Sequence, residues 1–521
     1  MAVFQARLKR VLWVAIAMGI VARLLLPWLS LSFLLEYVVS DDAFYYFTIA
    51  RNVVHGLGVT FDGLTPTNGF HPLWLICLLP IYAVAGGDAE LALRLSLALG
   101  SLFSVGAVLL LGLAVARWMR NPMAGRLASA LFALNLYAVI EGVNGLETSL
   151  ALLLLSIVLL LLARWQEGGA AHGSLWLGVA SGALVWARSD MALVLVGLYA
   201  YLLLSRRARF WSLAGATSVA GLMIVLWLAW SWVAVGTPVQ SSGVAIPWIT
   251  RARMEDAITG GWMTPAMVTG RVWQHFVQTT LYQMLNYAGV GLVAGLIVLL
   301  VRVREARLSP KDMVYMVAGL PGWLWWGGAG TLVMLLLSEF VRFSLREWYI
   351  APLSLWCSVF GAGLLAGWAA APRMRTRRSF VVACVVLGLL AGGQVWRDLG
   401  QHGRYWFQLD QLAAARWIAT NTPEDDVVGS WTAGIYGYFA RRRVVNLDGV
   451  VNWDAVHAYQ ARDLYGYMRG QHIRWLVDFD QFVEDFTNFY GADPASFLTP
   501  AHVFEGARAP FGRLVVYEVE P

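Results

Sequence analysis

Long apolar segments separated by short, arginine-rich loops constrain this chain more than any other feature. Only 13% of its 521 residues are Asp, Glu, Lys or Arg, against about 25% in a typical soluble domain. This deficit excludes a water-soluble enzyme, a disordered protein and a disulfide scaffold. A hydrocarbon core about 30 Å thick is crossed by about 20 apolar residues of helix. Runs near that length occur at 11–33, 91–116, 146–163, 212–235, 285–301, 314–337, 348–370 and 379–396, and shorter ones at 125–140, 174–187 and 190–204.

The loops between these runs predict the orientation of the chain. One set of loops carries eighteen Lys and Arg residues but only three acidic residues, so the positive-inside rule places it in the cytoplasm. Its basic residues are Arg7, Lys9, Arg10, Arg117, Arg120, Arg126, Arg164, Arg206, Arg207, Arg209, Arg302, Arg304, Arg307, Lys311, Arg373, Arg375, Arg377 and Arg378; its acidic residues are Glu167, Glu305 and Asp312.

This alternation of loops holds only if residues 70–88 do not cross the membrane. The segment is short and contains Pro72 and Pro80, which favours a helix that lies in the outer face or re-enters it. A single long helix at 174–204 would reverse the topology downstream of it, so we favour a hairpin there. We therefore predict a mainly α-helical bundle of about eleven spans in residues 1–396, with the N-terminus inside and a large first outer loop at 34–90.

The C-terminal region, residues 397–521, differs from the rest in composition because it carries many charges. Residues 409–421 show the pattern of an amphipathic helix that ends at Asn421-Thr422-Pro423. Short strands are predicted at Val427–Ser430, Val444–Leu447, Trp475–Phe479 and Leu514–Val519. We predict a small soluble α/β domain on the outer side of the membrane.

Two adjacent acids in the first outer loop are the first candidates for catalysis. Asp41 and Asp42 follow Ser40, a good N-cap, and precede an aromatic run that includes Tyr45. In the first turn of a helix the macrodipole favours ionised carboxylates, and an ionised carboxylate can accept a proton from an attacking hydroxyl. A capping signal on an interfacial helix explains the same residues about equally well. The two acids are also possible ligands of a divalent cation, but no metal ligand set is predicted.

Two further groups of polar residues in the outer loops interrupt the apolar pattern. Asn68 and His71 stand in a turn before an apolar segment, where His71 is suited to hydrogen-bond a phosphate or an acceptor sugar. Glu141 and Glu147 flank a glycine-rich turn, and carboxylates near bilayer depth are costly unless they line a wet cavity or find partners. An interfacial turn histidine and helix capping by Glu147 are the plain alternatives.

Arginines in the later outer loops depart from the positive-inside trend. Arg188 and Asp190 occupy a turn between two short apolar runs, where the choice is between a pair that stabilises its own turn and a phosphate site. Arg342 and Arg346 are four residues apart and would share one face if that loop were helical. Arg is well suited to bidentate phosphate contacts, whereas surface ion pairs with Glu339 or Glu347 are the alternative.

Several of these motifs follow one another in a fixed order along residues 10–350. They are Asp41-Asp42 after the first span, a helix running to Gly56-Leu57-Gly58, the Asn68–Trp74 segment, Gly145-Leu146-Glu147-Thr148 and Ala187-Arg188-Ser189-Asp190. In this order they resemble the GT-C superfamily of membrane glycosyltransferases, and most closely its bacterial arabinofuranosyltransferase-type enzymes. A C-terminal α/β domain on the outer side also suits several members of that superfamily.

The resemblance implies a function and roles for these residues. It implies transfer of a sugar, such as arabinofuranose, from a polyprenyl-phosphate donor to a glycan, lipid or protein acceptor outside a bacterial inner membrane, with no nucleic-acid partner. It makes Asp41 the general base and Asp42 its orienting or acceptor-binding neighbour. The implied donor-phosphate ligands are Arg188, Arg342, Arg346 and His71, and the implied acceptor-binding or auxiliary residues are Asn68, Glu141, Glu147, Asp190 and Tyr45.

A secondary transporter or lipid-glycan flippase would also place charges among membrane helices. Transporters often contain internal repeats and helices broken near the midplane, whereas this chain shows no repeat and its polar groups collect on one side. A non-catalytic receptor that uses the C-terminal region for binding is a third alternative.

Overall fold

A computed structural model describes residues 2–166, 173–206, 210–306, 317, 320–343, 345–369, 393, 397, 403–509 and 511–520. Helices dominate the part before residue 370. In chain order they are α1 (Ala2–Leu25), α2 (Leu31–Tyr37), α3 (Asp41–Val54), α4 (Pro72–Ala85), α5 (Ala89–Trp118), α6 (Pro122–Ala133), α7 (Leu136–Glu141), α8 (Thr148–Gln166), α9 (Gly173–Ala187), α10 (Met191–Leu204), α11 (Phe210–Val235), α12 (Ser241–Thr259), α13 (Pro265–His275), α14 (Leu281–Ala306), α15 (Gly322–Phe340) and α16 (Glu347–Ala369).

Five helices within the described ranges are long and apolar enough to cross a membrane, which is the property of a multi-pass membrane protein. They span Ala6–Trp28, Ala89–Trp118, Thr148–Trp165, Phe210–Val235 and Glu347–Gly367. A sixth crossing results if Pro265–Gly289 and Gly291–Val298, bent by 75°, form one span. Helices α4, α9 and α10 are apolar but shorter. The prediction of eleven spans is therefore not confirmed.

Some predictions lie outside the described residues. The span predicted at 379–396 falls there apart from residue 393, as does most of 314–319, the start of another predicted span. The same is true of part of the basic and acidic loop residues, namely Glu167, Arg207, Arg209, Arg307, Lys311, Asp312, Arg373, Arg375, Arg377 and Arg378.

The run at 125–140 is divided between two helices, α6 and α7, rather than forming one. The break exposes the last carbonyls of α6, and the fully buried guanidinium of Arg23 satisfies two of them, donating to Ala133 O at 2.7 Å and Phe132 O at 3.2 Å. Asn135 begins α7 by accepting a hydrogen bond from the N–H of Ala138. Because buried backbone groups need hydrogen-bond partners, the side chains of Arg23 and Asn135 stabilise the break between α6 and α7.

Helix α4, the segment predicted not to cross the membrane, lies against the C-terminal domain at both ends. Next to its N-terminus, Asn68 accepts a hydrogen bond from the indole of Trp453 at 3.0 Å. Near its C-terminus, the hydroxyl of Tyr82 donates to that of Tyr438 at 3.1 Å. The two ends of this helix therefore contact the same domain, and its non-crossing placement stays a prediction.

The C-terminal domain is a five-stranded sheet with helices, described over 403–509 and 511–520. Its elements are α17 (Gln408–Asn421), β1 (Val427–Ser430), α18 (Ala433–Phe439), β2 (Arg443–Asn446), α19 (Trp453–Ala461), α20 (Leu464–Gly470), β3 (Ile473–Phe479), α21 (Asp480–Asp485), β4 (Leu498–Ala509) and β5 (Gly512–Val519). The strand order is β2-β1-β3-β5-β4, parallel among the first three strands and antiparallel thereafter. The α/β character and four of the strands agree with the sequence analysis, which missed β4.

Candidate active site

Asp41 and Asp42 form the first turn of α3, as predicted, but their surroundings differ. The carboxylate of Asp41 accepts backbone hydrogen bonds from Ile435 at 2.7 Å and Gly434 at 3.3 Å, at the start of α18 in the C-terminal domain. Burial, followed by the nearby charge of Asp42, raises the pKa of Asp41 well above its usual value, while these two hydrogen bonds oppose the rise. Both oxygens of Asp41 are therefore engaged in contact between the two parts of the molecule.

The carboxylate of Asp42 forms no hydrogen bond or ion pair with the residues that the structure describes, and its side chain is half-buried. Burial raises the pKa of Asp42; among the nearby charges, Arg346 lowers it and Glu147 and Glu347 raise it. Asp42 is therefore the acid of the pair whose oxygens are available to a ligand.

Glu147 joins two of the predicted phosphate ligands into one cluster. Its Oε1 lies 3.8 Å from His71 Nε2 and 3.8 Å from Arg188 Nη1. Asp190 binds the same guanidinium through two contacts, of 3.1 and 2.6 Å. Two buried atoms of the cluster, His71 Nδ1 and Glu147 Oε2, have no partner within the described structure. The cluster thus brings four predicted residues together and leaves hydrogen-bonding capacity unused.

Arg342 and Arg346 lie between α15 and α16, in a loop in which Phe343 has a φ of 50°. The helical arrangement considered for these arginines is therefore wrong: α15 ends at Phe340 and the next helix begins at Glu347. Arg342 is half-buried and Arg346 exposed, and neither guanidinium has a hydrogen bond or ion pair with any described side chain. Their electrostatic influence reaches the acids and the histidine: Arg342 acts on His71 and Asp190, and Arg346 acts on Asp42.

We call Asp42, His71, Glu147, Arg188, Asp190, Arg342, Arg346 and Glu347 the polar cluster.

Glu141 is fully buried and belongs to a separate network that the sequence analysis did not foresee. It is ion-paired with Arg404 Nη1 at 2.8 Å and accepts a hydrogen bond from Asn144 at 2.6 Å. Tyr287 donates its hydroxyl proton to Glu141 and accepts a hydrogen bond from Arg404 at 2.9 Å. Arg404 comes from the C-terminal domain, so this network connects that domain to the membrane helices rather than offering Glu141 to a ligand.

Asn68 and Tyr45 also lie at contacts with the C-terminal domain. Asn68 is completely buried; besides its contact with Trp453, its amide nitrogen donates to Val239 O at 2.8 Å. The hydroxyl of Tyr45 donates to Trp431 O at 3.3 Å and accepts from Asn446 at 3.2 Å. The sequence contains no local signal for these contacts, because their partners are more than 150 residues away in the chain.

Within the described ranges, no group of three or more His, Cys, Asp or Glu side chains is placed to hold a metal ion.

Comparison with known proteins identifies the fold. A family described as a domain of unknown function (DUF8728) matches residues 400–512, and no curated protein matches the chain. An Archaeoglobus fulgidus oligosaccharyltransferase solved with Zn and sulfate is similar in structure, with a TM-score of 0.55, 13% identity and coverage of 98% of this chain and 73% of that one. The archaeal oligosaccharyltransferase AglB from Archaeoglobus fulgidus, solved with an inhibitory peptide and a dolichol-phosphate, has a TM-score of 0.54 and 14% identity. The match covers 98% of this chain and 74% of that one.

ArnT from Cupriavidus metallidurans is similar over nearly the full length of both chains. Its structure bound to undecaprenyl phosphate has a TM-score of 0.52 and 15% identity and covers 97% of each chain. The chain therefore shares the fold of the oligosaccharyltransferase and of ArnT, in agreement with the fold that the resemblance implied. Membership of the GT-C superfamily stays a prediction, as does the arabinofuranosyltransferase type.

Proposed function

We propose that the chain is a membrane glycosyltransferase that moves a sugar from a polyprenyl-phosphate donor to a hydroxyl-bearing acceptor. One observation carries the proposal: the carboxylate of Asp42 belongs to one cluster with Arg342 and Arg346, and none of the three has a hydrogen bond or ion pair with a described residue. Glycosyl transfer from a phosphate needs both halves of this arrangement, a base for the acceptor and cations for the leaving group. The shared fold, in proteins solved with dolichol-phosphate or undecaprenyl phosphate, supports the same class of donor.

The donor phosphate would bind to Arg342, Arg346 and His71. Arg188 already pairs with Asp190 and approaches Glu147, so we assign it mainly to positioning these neighbours, with Nη1 also donating to Trp348 O at 3.1 Å. Free guanidinium groups neutralise a phosphate without losing their own charge. Charge-assisted hydrogen bonds to them strengthen as negative charge develops on the leaving oxygen.

An apolar groove provides a place for the isoprenoid chain of this donor. It has a volume of about 710 Å³, lies between α9, α10 and α11, and is lined near one end by Val185 and Ala192, which flank the turn that carries Arg188. The groove continues to Leu203, eleven residues along α10 from Ala192, or roughly 16 Å at 1.5 Å per residue. A polyprenyl tail lying there would bring its phosphate to the polar cluster.

We assign the general base to Asp42 and not to Asp41, to which the family resemblance gave that role. In the proposed step the acceptor oxygen attacks the anomeric carbon, its proton passes to Asp42, and the bond between that carbon and the phosphate oxygen breaks. The electron pair leaves with the polyprenyl phosphate. Asp41 is less suited to this role because two backbone N–H groups already occupy its oxygens.

The finer features of the predicted function belong to the same proposal. They are arabinofuranose as the sugar, a glycan, lipid or protein as the acceptor, a bacterial inner-membrane location and a C-terminal domain on the outer side. The eighteen basic residues of the predicted cytoplasmic loops support this orientation, and the apolar helices support the membrane location.

The test is transfer by the purified chain in proteoliposomes supplied with radiolabelled polyprenyl-phosphate sugars and an envelope extract as acceptor. We expect label to move from the lipid phosphate to the acceptor. Movement of intact labelled lipid between leaflets without transfer would instead support the flippase alternative. Binding without either process would support a receptor.

Substitution of Arg342 and Arg346 tests the phosphate site in the same system. Each Ala variant should weaken binding of undecaprenyl phosphate by about 10- to 150-fold, because a hydrogen bond to a charged group is worth about 1.5–3 kcal/mol. Arg10→Ala is the control, since Arg10 is exposed on α1 and is one of the basic residues predicted to face the cytoplasm. Unchanged binding in both variants would move the phosphate site elsewhere.

A further inference from the structure

A loop of the C-terminal domain reaches the membrane part beside Asp42. It follows β2 and consists of residues 447–450, at the carboxyl end of a parallel strand, where ligand sites of such sheets commonly lie. Val450 O accepts a hydrogen bond from Ser241 Oγ at 2.7 Å. A side-chain carbon at Gly69 would come within 2.0 Å of that same carbonyl oxygen, so the loop is tightly seated against the Asn68 turn.

Asp448, in this loop, faces the first turns of α3. Two residues earlier, Asn446 donates to the hydroxyl of Tyr45, which lies one turn of α3 beyond Asp42. The charge of Asp42 raises the pKa of Asp448, and the charge of Asp448 raises the pKa of Tyr45, so the carboxylate of Asp448 lies near the first turns of α3. The side chain of Asp448 is half-buried, so part of it is open to a ligand.

The local structure around Asp448 does not account for its negative charge. Its Oδ1 accepts the N–H of Val450 at 2.8 Å, a turn that Asn forms equally well. Burial raises the pKa of Asp448 to about 7, hydrogen bonds from Val450 and Asn446 lower it, and Asp42 and Asp478 raise it. No described arginine or lysine forms an ion pair with it. The carboxylate of Asp448 therefore lies near a second acid, Asp42, without a described cation to offset its charge.

We propose that Asp448 binds the acceptor, accepting a hydrogen bond from a hydroxyl group next to the one that Asp42 deprotonates. This inference rests on the proposed function and narrows its acceptor to a group with neighbouring hydroxyls and no negative charge at the reacting end. Two carboxylates repel an anionic acceptor, whereas vicinal hydroxyls supply donors to both. In this arrangement the arginines bind the donor phosphate, whereas the carboxylates of α3 and of the C-terminal domain bind the acceptor.

The Asp448→Asn variant tests the proposal because it keeps the Oδ1 acceptor of the turn and removes the charge. In the proteoliposome assay, initial rates are measured over a dilution series of envelope extract at saturating donor, and again over a donor series. We expect the apparent KM for acceptor to rise at least tenfold, while binding of undecaprenyl phosphate and the apparent melting temperature stay unchanged. Asp454→Asn is the matched control, since Asp454 is exposed on α19 of the same domain.

The pH profile separates this role from a structural one. For the unmodified chain, kcat/KM for acceptor should rise with pH as Asp42 and Asp448 lose their protons. Burial and the charge of Asp42 raise the pKa of Asp448, so the part of the rise that belongs to Asp448 should disappear in Asp448→Asn and leave only the part that belongs to Asp42. The other titratable or charged groups that act on these two acids or lie beside them stay in place in this variant: Asp41, Asp478, Tyr45, Glu147, Arg346 and Glu347.

Each outcome of the experiment decides between the two proposals. If the unmodified chain transfers sugar and Asp448→Asn shows a normal acceptor KM with an unchanged pH profile, the acceptor role of Asp448 is overturned and the glycosyltransferase proposal stands. If the unmodified chain transfers no sugar, both proposals fall. A raised donor KM in Asp448→Asn, with normal acceptor dependence, would also overturn the assignment.

Discussion

At the scale of single residues, the two adjacent acids of α3 have different neighbours. We therefore expect their substitutions to have different effects on rate and stability. Asp42→Asn should lower the transfer rate by about 10²–10⁴-fold, the usual effect of losing a general base. It should leave stability nearly unchanged, since the loss of a helix-dipole interaction costs only about 0.3–1 kcal/mol. Initial rates at saturating donor and acceptor, with thermal unfolding alongside, measure both effects.

Asp41→Asn is the comparison for this prediction. The new amide group would face the N–H of Gly434 with a second donor, so we expect lower stability and a smaller loss of rate. A stable Asp41→Asn protein without activity, together with a working Asp42→Asn protein, would reverse the assignment.

The pH dependence of transfer should report the charges around Asp42. Because burial raises its pKa, activity should rise with pH through a value above the ordinary range for Asp. Arg346 lowers that pKa and Glu347 raises it. The rise should therefore move to higher pH in Arg346→Gln and to lower pH in Glu347→Gln. Shifts in the same direction in both variants would show that another group controls the profile.

The sequence could propose these residues but could not rank them. The composition of the first turn of α3 is local information, and it correctly placed two carboxylates there. The partner that distinguishes them, Ile435, is 394 residues away in the chain. The same limit applies to Glu141, whose partner Arg404 gave no local signal.

At the scale of elements, α3 and α18 form a matched pair. Asp41 accepts hydrogen bonds from the start of α18, and at the other end Arg51 donates to Gly437 O at 2.8 Å and Tyr438 O at 3.0 Å. The two side chains thus satisfy the backbone groups that a helix leaves unpaired at its ends. A side-chain carbon at Gly434 would lie 2.2 Å from Asp41 O, so only glycine fits at this approach.

Gly434→Ala should therefore separate α18 from α3. We expect faster amide hydrogen exchange in residues 433–439 and a lower apparent melting temperature. Gly470→Ala is the control, because a side-chain carbon there meets no atom within 4 Å. Unchanged exchange in Gly434→Ala would show that the pairing of these helices contributes little to docking of the domain.

Helices and strands were predicted well where the apolar pattern alone determines them. They were predicted poorly where side chains from distant parts of the chain determine them. The long helices α5, α8 and α11 follow from uninterrupted apolar runs. The division of 125–140 into α6 and α7 depends on Arg23, more than a hundred residues away. In the same way, the loop containing Arg342 and Arg346 is helix-compatible in composition, but the structure does not make it helical.

At the scale of the whole molecule, the C-terminal domain is joined to the membrane helices by buried polar groups as well as by apolar packing. Asp41, Asn68 and Tyr45 all contact it. The sequence indicated two parts of different composition, and both were found. It did not indicate that the second part packs against Asp41 at the start of α3, since composition separates domains but does not show which of their faces are in contact.

The pair of Arg404 and Glu141 provides the last prediction, because it places a charge of each part in one buried network. Arg404→Gln leaves Glu141, which is fully buried, without its cation. Loss of one partner of a buried ion pair costs about 3–5 kcal/mol, so the variant should unfold at a clearly lower SDS fraction in mixed micelles. Arg416→Gln, at an exposed position on α17, should unfold normally.

Restoring neutrality should recover much of this loss. The double variant Glu141→Gln, Arg404→Gln has no unpaired charge, and its amide groups still bond to Asn144 and Tyr287. We expect it to be more stable than Arg404→Gln alone, since the cost of the single change comes from a stranded carboxylate and not from a missing attraction. Purely additive effects in this double-mutant cycle would mean that the two residues act independently. The ion pair of Arg404 and Glu141 would then not be what holds the C-terminal domain against the membrane helices.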